Sequence, residues 1–195
     1  MAETAKKLAT YDDLYNIPAN MTGEIIDGEL FVSPRPSVEH TRVASTLGYA
    51  IGPSYDFGEG GGPGGWIILD ETEIKLEEDT FVPDIAGWKK ERFFNPEGQN
   101  WVSVTPDWVC EILSPSSVRH DRIIKARTYA KHRIPYFWLI DPRDRLLQVF
   151  KLESGRWVTL EDYAEDDKVR AEPFQEIEID LAKLWLKTQP KPSKQ

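Results

Sequence analysis

Three residues stand where packing alone gives a poor account of them. Asp84 lies in Phe81-Val-Pro-Asp-Ile-Ala-Gly-Trp88, Glu111 in Asp107-Trp-Val-Cys-Glu-Ile-Leu-Ser114, and Lys125 ends Ser116-Ser-Val-Arg-His-Asp-Arg-Ile-Ile-Lys125. Both acids interrupt apolar runs, where an unpaired charge is costly or is forced to neutralise. Acids in such places hold a cation or line a cleft. Metal-assisted hydrolysis of a phosphodiester needs this set: two carboxylates for a hard cation, and a basic group near the attacked phosphate. Each residue also has a plainer reading. Asp84 suits a turn or bulge, Glu111 a buried ion pair, and Lys125 a solvated helix face one turn from Asp121.

The elements that must position these groups are legible in outline. Trp108–Leu113 reads as a buried strand, and strand alternation puts Glu111 on one face with Val109 and Leu113, opposite Trp108, Cys110 and Ile112. If the strand over Phe81–Trp88 pairs with it, Asp84 and Glu111 come within reach of one cation, Mg²⁺ or Mn²⁺, that water and a phosphate oxygen would complete. Pro83 marks that strand as an edge or a bulge. Ser116 or Ser117 is expected to cap a helix running to His132, which places Asp121, Lys125 and Tyr129 at i, i+4 and i+8 on one ridge. Tyr136–Ile140 follows as a buried strand. A strand–helix–strand unit among hairpins predicts an α/β (α+β) fold with a mixed β-sheet flanked by helices.

Upstream, residues 1–20 read as an arm with a short helix near Tyr11–Tyr15, and residues 21–186 as one domain. Glu24–Val32 is a hairpin turned at Asp27-Gly28. Ser37 caps a helix to about Ile51, and the glycines of 58–65 form a loop that lacks the Gly-Lys-Ser/Thr ending of a phosphate cradle. Trp66–Leu76 suits one bent strand or a tight hairpin, and 89–106 a loop containing Asn95-Pro96. Arg145–Lys151 and Arg156–Leu160 suit a hairpin, Phe174–Ile179 a last strand, Leu181–Leu186 a short helix, and 187–195 a disordered tail. Ser114 lacks the Gly-x-Ser-x-Gly elbow of a serine hydrolase.

Composition narrows the class. The single cysteine, Cys110, excludes an internal disulfide or a Cys-rich zinc site, and the first residues lack the apolar run of a signal peptide, so a cytoplasmic protein without membrane spans is expected. The net charge is −9, yet residues 119–133 carry Arg119, Arg122, Lys125, Arg127, Lys131 and Arg133 against Asp121 alone, while 70–79 and 161–167 are acidic. That basic stretch fits either a phosphate-facing helix or a solvated one.

Pro83-Asp84, Glu111-Ile-Leu-Ser-Pro-Ser116, Asp121-Arg-Ile-Ile-Lys125, Tyr129 and Tyr136-Phe-Trp-Leu-Ile-Asp-Pro142, in this order and spacing, resemble the Uma-type putative restriction endonuclease family, a branch of the PD-(D/E)XK nucleases. The likeness extends upstream to Glu24-Ile-Ile-Asp-Gly-Glu-Leu30 and to Ser33-Pro34 with His40, and covers roughly 10–160. It implies a restriction-endonuclease-like core of a helix, a curved three-stranded meander, a crossover helix and a further strand. It also implies Asp84 and Glu111 as metal ligands and Lys125 as the catalytic lysine, with Glu24, His40, Asp121 and Tyr129 as accessory groups. In the wider superfamily the lysine stands two residues after the acid, where this chain has Leu113. The function so implied is an Mg²⁺-dependent DNA endonuclease, compatible with a homodimer. A nuclease-fold binding protein without chemistry and an RNA nuclease are the rivals.

Overall fold

The computed structural model describes residues 8–94, 97–115 and 117–186. A helical turn, α1 (Tyr11–Leu14), precedes the hairpin of β1 (Met21–Ile26) and β2 (Glu29–Pro34). Asp27 and Gly28 at its tip have φ of 50° and 73°, the double left-handed turn that suits strand twist. Helix α2 (Val38–Tyr55) begins at Ser37, whose hydroxyl accepts the His40 N–H at 3.3 Å. It continues past Ile51 although Pro53 lies in its last turn, because Val43, Leu47, Ile51 and Tyr55 extend one buried stripe that outweighs the lost hydrogen bond.

Strands β3 (Trp66–Asp70), β4 (Glu73–Leu76), β5 (Asp79–Phe81) and β6 (Ile85–Lys89) form one long hairpin with a kink across both arms. β3 pairs with β6 and β4 with β5, each antiparallel. The strand expected over Phe81–Trp88 is therefore two strands in two sheets, broken at Val82-Pro83-Asp84, where Pro83 has no N–H for a ladder. Opposite it Glu71, at φ 46°, turns the other arm and donates its N–H to the Asp84 carbonyl at 3.1 Å. The bent-strand reading of Trp66–Leu76 fits this kink. The tight-hairpin reading does not, since both halves pair with the other arm.

The stretch expected as a loop contains β7 (Trp101–Val102), which runs parallel to β4; Asn95-Pro96 lies outside the described residues. After β8 (Trp108–Ile112) the chain enters a π-helical turn, His120–Lys125, that continues into α3 (Ala126–Lys131). Ser116 lies outside the described residues. Ser117 does not cap this helix with its side chain: its hydroxyl accepts the Ser114 N–H at 3.1 Å. β9 (Tyr136–Asp141) returns parallel to β8. β10 (Leu146–Glu153) and β11 (Arg156–Ala164) make a longer hairpin than expected, turned by Ser154 and Gly155 at φ 49° and 78°.

Only the end of the expected strand at Phe174–Ile179 is extended, as β13 (Ile179–Asp180) beside β12 (Lys168–Val169). Phe174 is taken into the core instead, against the rings of Tyr55, Trp66, Trp108 and Trp138. The helix expected at Leu181–Leu186 is one 3-10 turn, Leu181–Lys183, and the tail 187–195 lies outside the described residues.

Among the described residues the strands form a six-stranded sheet, β11-β10-β9-β8-β6-β3, a five-stranded sheet, β2-β1-β5-β4-β7, and the β12-β13 pair. The six-stranded sheet carries apolar packing on both faces. α2 and the Phe174 region cover Trp108, Cys110 and Ile112 on one side, and the other side buries Val109 and Leu113 against Ala126, Tyr129 and Phe81. No helix among the described residues is long and apolar enough to cross a membrane.

A buried acid ties the small sheet to α3. Asp79 is 0 % exposed and accepts from Asp27 N–H at 2.8 Å, Lys131 Nζ at 2.7 Å and His132 Nε2 at 2.8 Å. Burial by itself would raise this carboxyl; the bonds from Lys131, the Asp27 amide and His132 hold it below the usual range. A depressed acid stabilises the fold above its unfolded pKa and loses that contribution as pH falls. Asp79→Ala is expected to cost about 3 kcal/mol at neutral pH and less in acid, as read from urea unfolding at the two pH values. An equal cost at both would mean that the charge is not what matters there.

Candidate active site

The kink in the long hairpin creates the site. Ile85 pairs with Cys110 and Ala86 with Val109, so the next position outward sets Asp84 opposite Glu111 on the same face. The Ile112 N–H then donates to Asp84 Oδ2 at 2.6 Å, in place of the ladder bond that the break at Pro83 removes. The same break frees both backbone groups of Val82. Its N–H donates to Glu24 Oε1 at 2.8 Å, and its carbonyl accepts Lys125 Nζ at 3.0 Å. Glu24 arrives from β1, whose Ile25 pairs with Thr80 of β5.

Lys125 is the hub. It is 3 % exposed, and its ammonium lies 2.7 Å from Glu111 Oε1 and 3.0 Å from Glu24 Oε1. With the Val82 carbonyl, these acceptors account for all three of its protons. Tyr129, fully buried, donates its hydroxyl to the same Glu111 Oε1. His40, from the first turn of α2, lies 3.0 Å from Asp84 Oδ2 through Nε2. His120 Nε2 lies 2.8 Å from Glu24 Oε2. Glu24, His40, Asp84, Glu111, Asp121 and Lys125 all line one cleft of about 230 Å³. Tyr129 does not line it and reaches it through Glu111.

The ridge expected from i, i+4 spacing is altered by the π-helical winding. An extra residue per turn puts His120, five positions before Lys125, beside it, and both side chains meet Glu24. His120 was not singled out from the sequence, and neither was the Val82 backbone. Spacing alone carries no sign of a π turn.

The electrostatics follow from four acids around one buried ammonium. Burial would raise Glu24, but the Lys125 charge and the bonds from His120 and Val82 prevail and hold it at about 2. Burial raises Glu111 well above the usual range; Lys125 opposes this, while Asp84, Asp121 and Glu24 add to it. Asp121 is raised mainly by its burial, against the pull of Lys125. Burial would lower the Lys125 ammonium, yet Glu111, Glu24, Asp121 and Asp84 together raise it, so it stays charged. His40 is raised as well, since the Asp84 bond and charge overcome its burial.

Residues 8–182 match the Uma2 family, described as "Putative restriction endonuclease". The chain belongs to the Uma2 family. Its fold is similar to that in the crystal structure titled as a putative nuclease belonging to DUF820 from Anabaena variabilis, with a TM-score of 0.74 and 23% identity over 91% of this chain and 97% of that one. No curated protein matches the chain. The Uma2 match spans every element that contributes to the cleft, from β1 to α3, and the shared fold is a restriction-endonuclease-like core.

A divalent cation fits these residues in one particular way. Among the described residues no three His, Cys, Asp or Glu side chains gather as a closed metal cage. Mg²⁺ does not require one, since it commonly takes one or two carboxylates and keeps water and substrate oxygens for the rest. Both bonds to Asp84 fall on Oδ2 and both polar contacts of Glu111 on Oε1, which leaves Asp84 Oδ1 and Glu111 Oε2 unpaired among the described residues. The excess of buried negative charge, expressed in the raised Glu111 carboxyl, is what such a cation would offset.

Proposed function

We propose that this chain is a Mg²⁺-dependent endonuclease that hydrolyses phosphodiester bonds of DNA, with Mn²⁺ able to substitute. The observation that carries this reading is the meeting of Asp84, Glu111 and Lys125 in one cleft, at adjacent register positions and on the crossover helix of a Uma2 chain. Asp84 and Glu111 would hold the cation through their unpaired oxygens. Such an ion, when bound, eases proton loss from water and offsets charge on the attacked phosphate.

The chain's own groups prepare this arrangement. His40 and the Ile112 amide fix Asp84 by Oδ2 and so orient Oδ1. Lys125 and Tyr129 fix Glu111 by Oε1 in the same manner. Lys125 stays protonated and is thus a cation rather than a base. With its three protons engaged, its first role is to position Glu111, and contact with a phosphate requires exchange of one of those bonds. Glu24, anchored by Val82 and His120, keeps the ammonium in place.

That saturation of Lys125, with Leu113 at the superfamily's usual lysine position, is also what favours the second reading, a nuclease fold that binds without cutting. A cleavage panel over double-stranded DNA, single-stranded DNA and RNA, in EDTA, Mg²⁺ or Mn²⁺, separates them. DNA cleavage that appears only with metal is expected. Cleavage of RNA alone would move the substrate class, and Mn²⁺ binding without any cleavage would favour the inactive reading.

A further inference from the structure

We propose that Arg119, Arg122 and Arg127, with Arg35 at the cleft mouth, form the surface that holds backbone phosphates flanking the scissile one, an inference that rests on the DNA-nuclease reading above. The chain has 33 acidic against 24 basic residues, and several surface bases pair with acids: Lys90 with Asp56, Arg92 with Asp107, Arg145 with Glu165, Lys151 with Glu172. Exposed Arg42, Arg133, Arg156, Lys168 and Arg170 form no ion pair among the described residues. Among the described residues, Arg35, Arg119, Arg122 and Arg127 form no ion pair although all four are exposed. Arg122 instead donates to the neutral Gln148 Oε1 at 2.7 Å. What sets the row apart is that three arginines without an ion pair gather on the one short segment that also carries the cleft residues His120, Asp121 and Lys125, a local positive charge in an acidic protein that suits an external polyanion.

Its placement fits that role. The arginines occupy the exposed side of the segment whose buried side carries Asp121, Lys125 and Tyr129, so one element bears both the row and two of the cleft residues. Arg119 directly precedes His120, which lines the cleft. Arg119 to Arg127 spans about two helical turns, most of it π-helical, enough to meet more than one phosphate of a strand. Arg35 lines the cleft between Pro34 and Pro36. The following proline holds it extended and limits the freedom it must lose on binding. Glu71, exposed, lines the same cleft and repels a phosphate chain there. The ligand class is a chain of phosphates rather than a single anion. Guanidinium groups in a row recognise that spacing, and no base-reading contact is implied.

The test is the salt dependence of binding to a labelled short DNA duplex, followed by anisotropy with Ca²⁺ in place of Mg²⁺. For Arg119→Gln/Arg127→Gln the slope of log K against log salt is expected to fall by about 2, with roughly tenfold or greater weakening at low salt. Arg35→Gln should remove about 1 more. The charge-matched Arg156→Gln/Lys168→Gln, exposed on other elements, should leave the slope unchanged. Equal losses in both double variants, or none in the first, would overturn the inference. Wild-type binding with the expected slope changes but no cleavage in Mg²⁺ would retire the nuclease reading and leave the phosphate surface standing.

Discussion

Glu111→Gln and Asp84→Asn are each expected to reduce metal-dependent cleavage by at least about 10³-fold, equivalent to roughly 4 kcal/mol of transition-state stabilisation, without unfolding the protein. Either change removes the charge of one of the two carboxylates proposed to hold the cation. The two variants separate on stability. Glu111 is 2 % exposed, and its burial favours the neutral carboxyl, so a neutral amide of the same shape is expected to leave the metal-free protein at least as stable as the wild type. Asp84 accepts the Ile112 N–H and pairs with His40, so its amide should cost about 1–3 kcal/mol through a poorer acceptor and a lost ion pair. Thermal unfolding with and without Mn²⁺ gives the third readout. Metal should raise the wild-type midpoint by mass action and leave both variants nearly unmoved. A Glu111→Gln enzyme that cuts DNA at the wild-type rate would remove this residue from the metal site.

The candidate cleft is legible in the sequence where local chemistry suffices. Glu111 drew notice as a charge inside an apolar strand, and alternation put it with Val109 and Leu113, the face on which those residues pack. Asp84 could be set opposite it only on the assumption that two strands pair, which the register supplies. Pro83 predicts an edge or a bulge, but its effect is larger: the chain leaves one sheet and enters the other there. No local pattern states that, because it depends on β1 pairing with β5 and β8 pairing with β6 across long stretches of chain. The same non-local pairing brings Glu24 to Lys125, and the resemblance, rather than any property of Glu24 in its hairpin, marked it. Leucine at position 113 is apolar because that face of β8 is core; the ammonium reaches Glu111 from the π-helical turn instead. Strands of two residues, such as β7, β12 and β13, fall below what periodicity can detect.

Lys125→Met should be the most destabilising single change in the cleft. It leaves Glu24 and Glu111 buried within a few ångströms of the lost charge, and removal of one member of a buried ionic group typically costs about 3–5 kcal/mol. The pH dependence identifies the cause. Glu24 titrates at about 2 against an ordinary 4.5, because Lys125 and His120 outweigh its burial. A carboxyl depressed in this way contributes stability above its unfolded pKa, about 3 kcal/mol for a shift of this size, and loses it as pH falls from 4.5 toward 2. In Lys125→Met most of that depression disappears, so the gap between variant and wild type should be wide at pH 7 and close through the acid range. Adding Glu24→Gln should restore much of the stability at neutral pH, since a neutral pair replaces an uncompensated charge, and the double-mutant cycle would show coupling of at least about 1 kcal/mol. Cleavage should fall about 10²–10³-fold in the single variant, and should stay low in the double variant even as the fold recovers, because Glu111 is then held by Tyr129 alone. Urea unfolding of the four proteins at neutral and acid pH decides this. A Lys125→Met protein within 1 kcal/mol of wild type at pH 7 would mean that the ammonium does not bridge the two acids in solution.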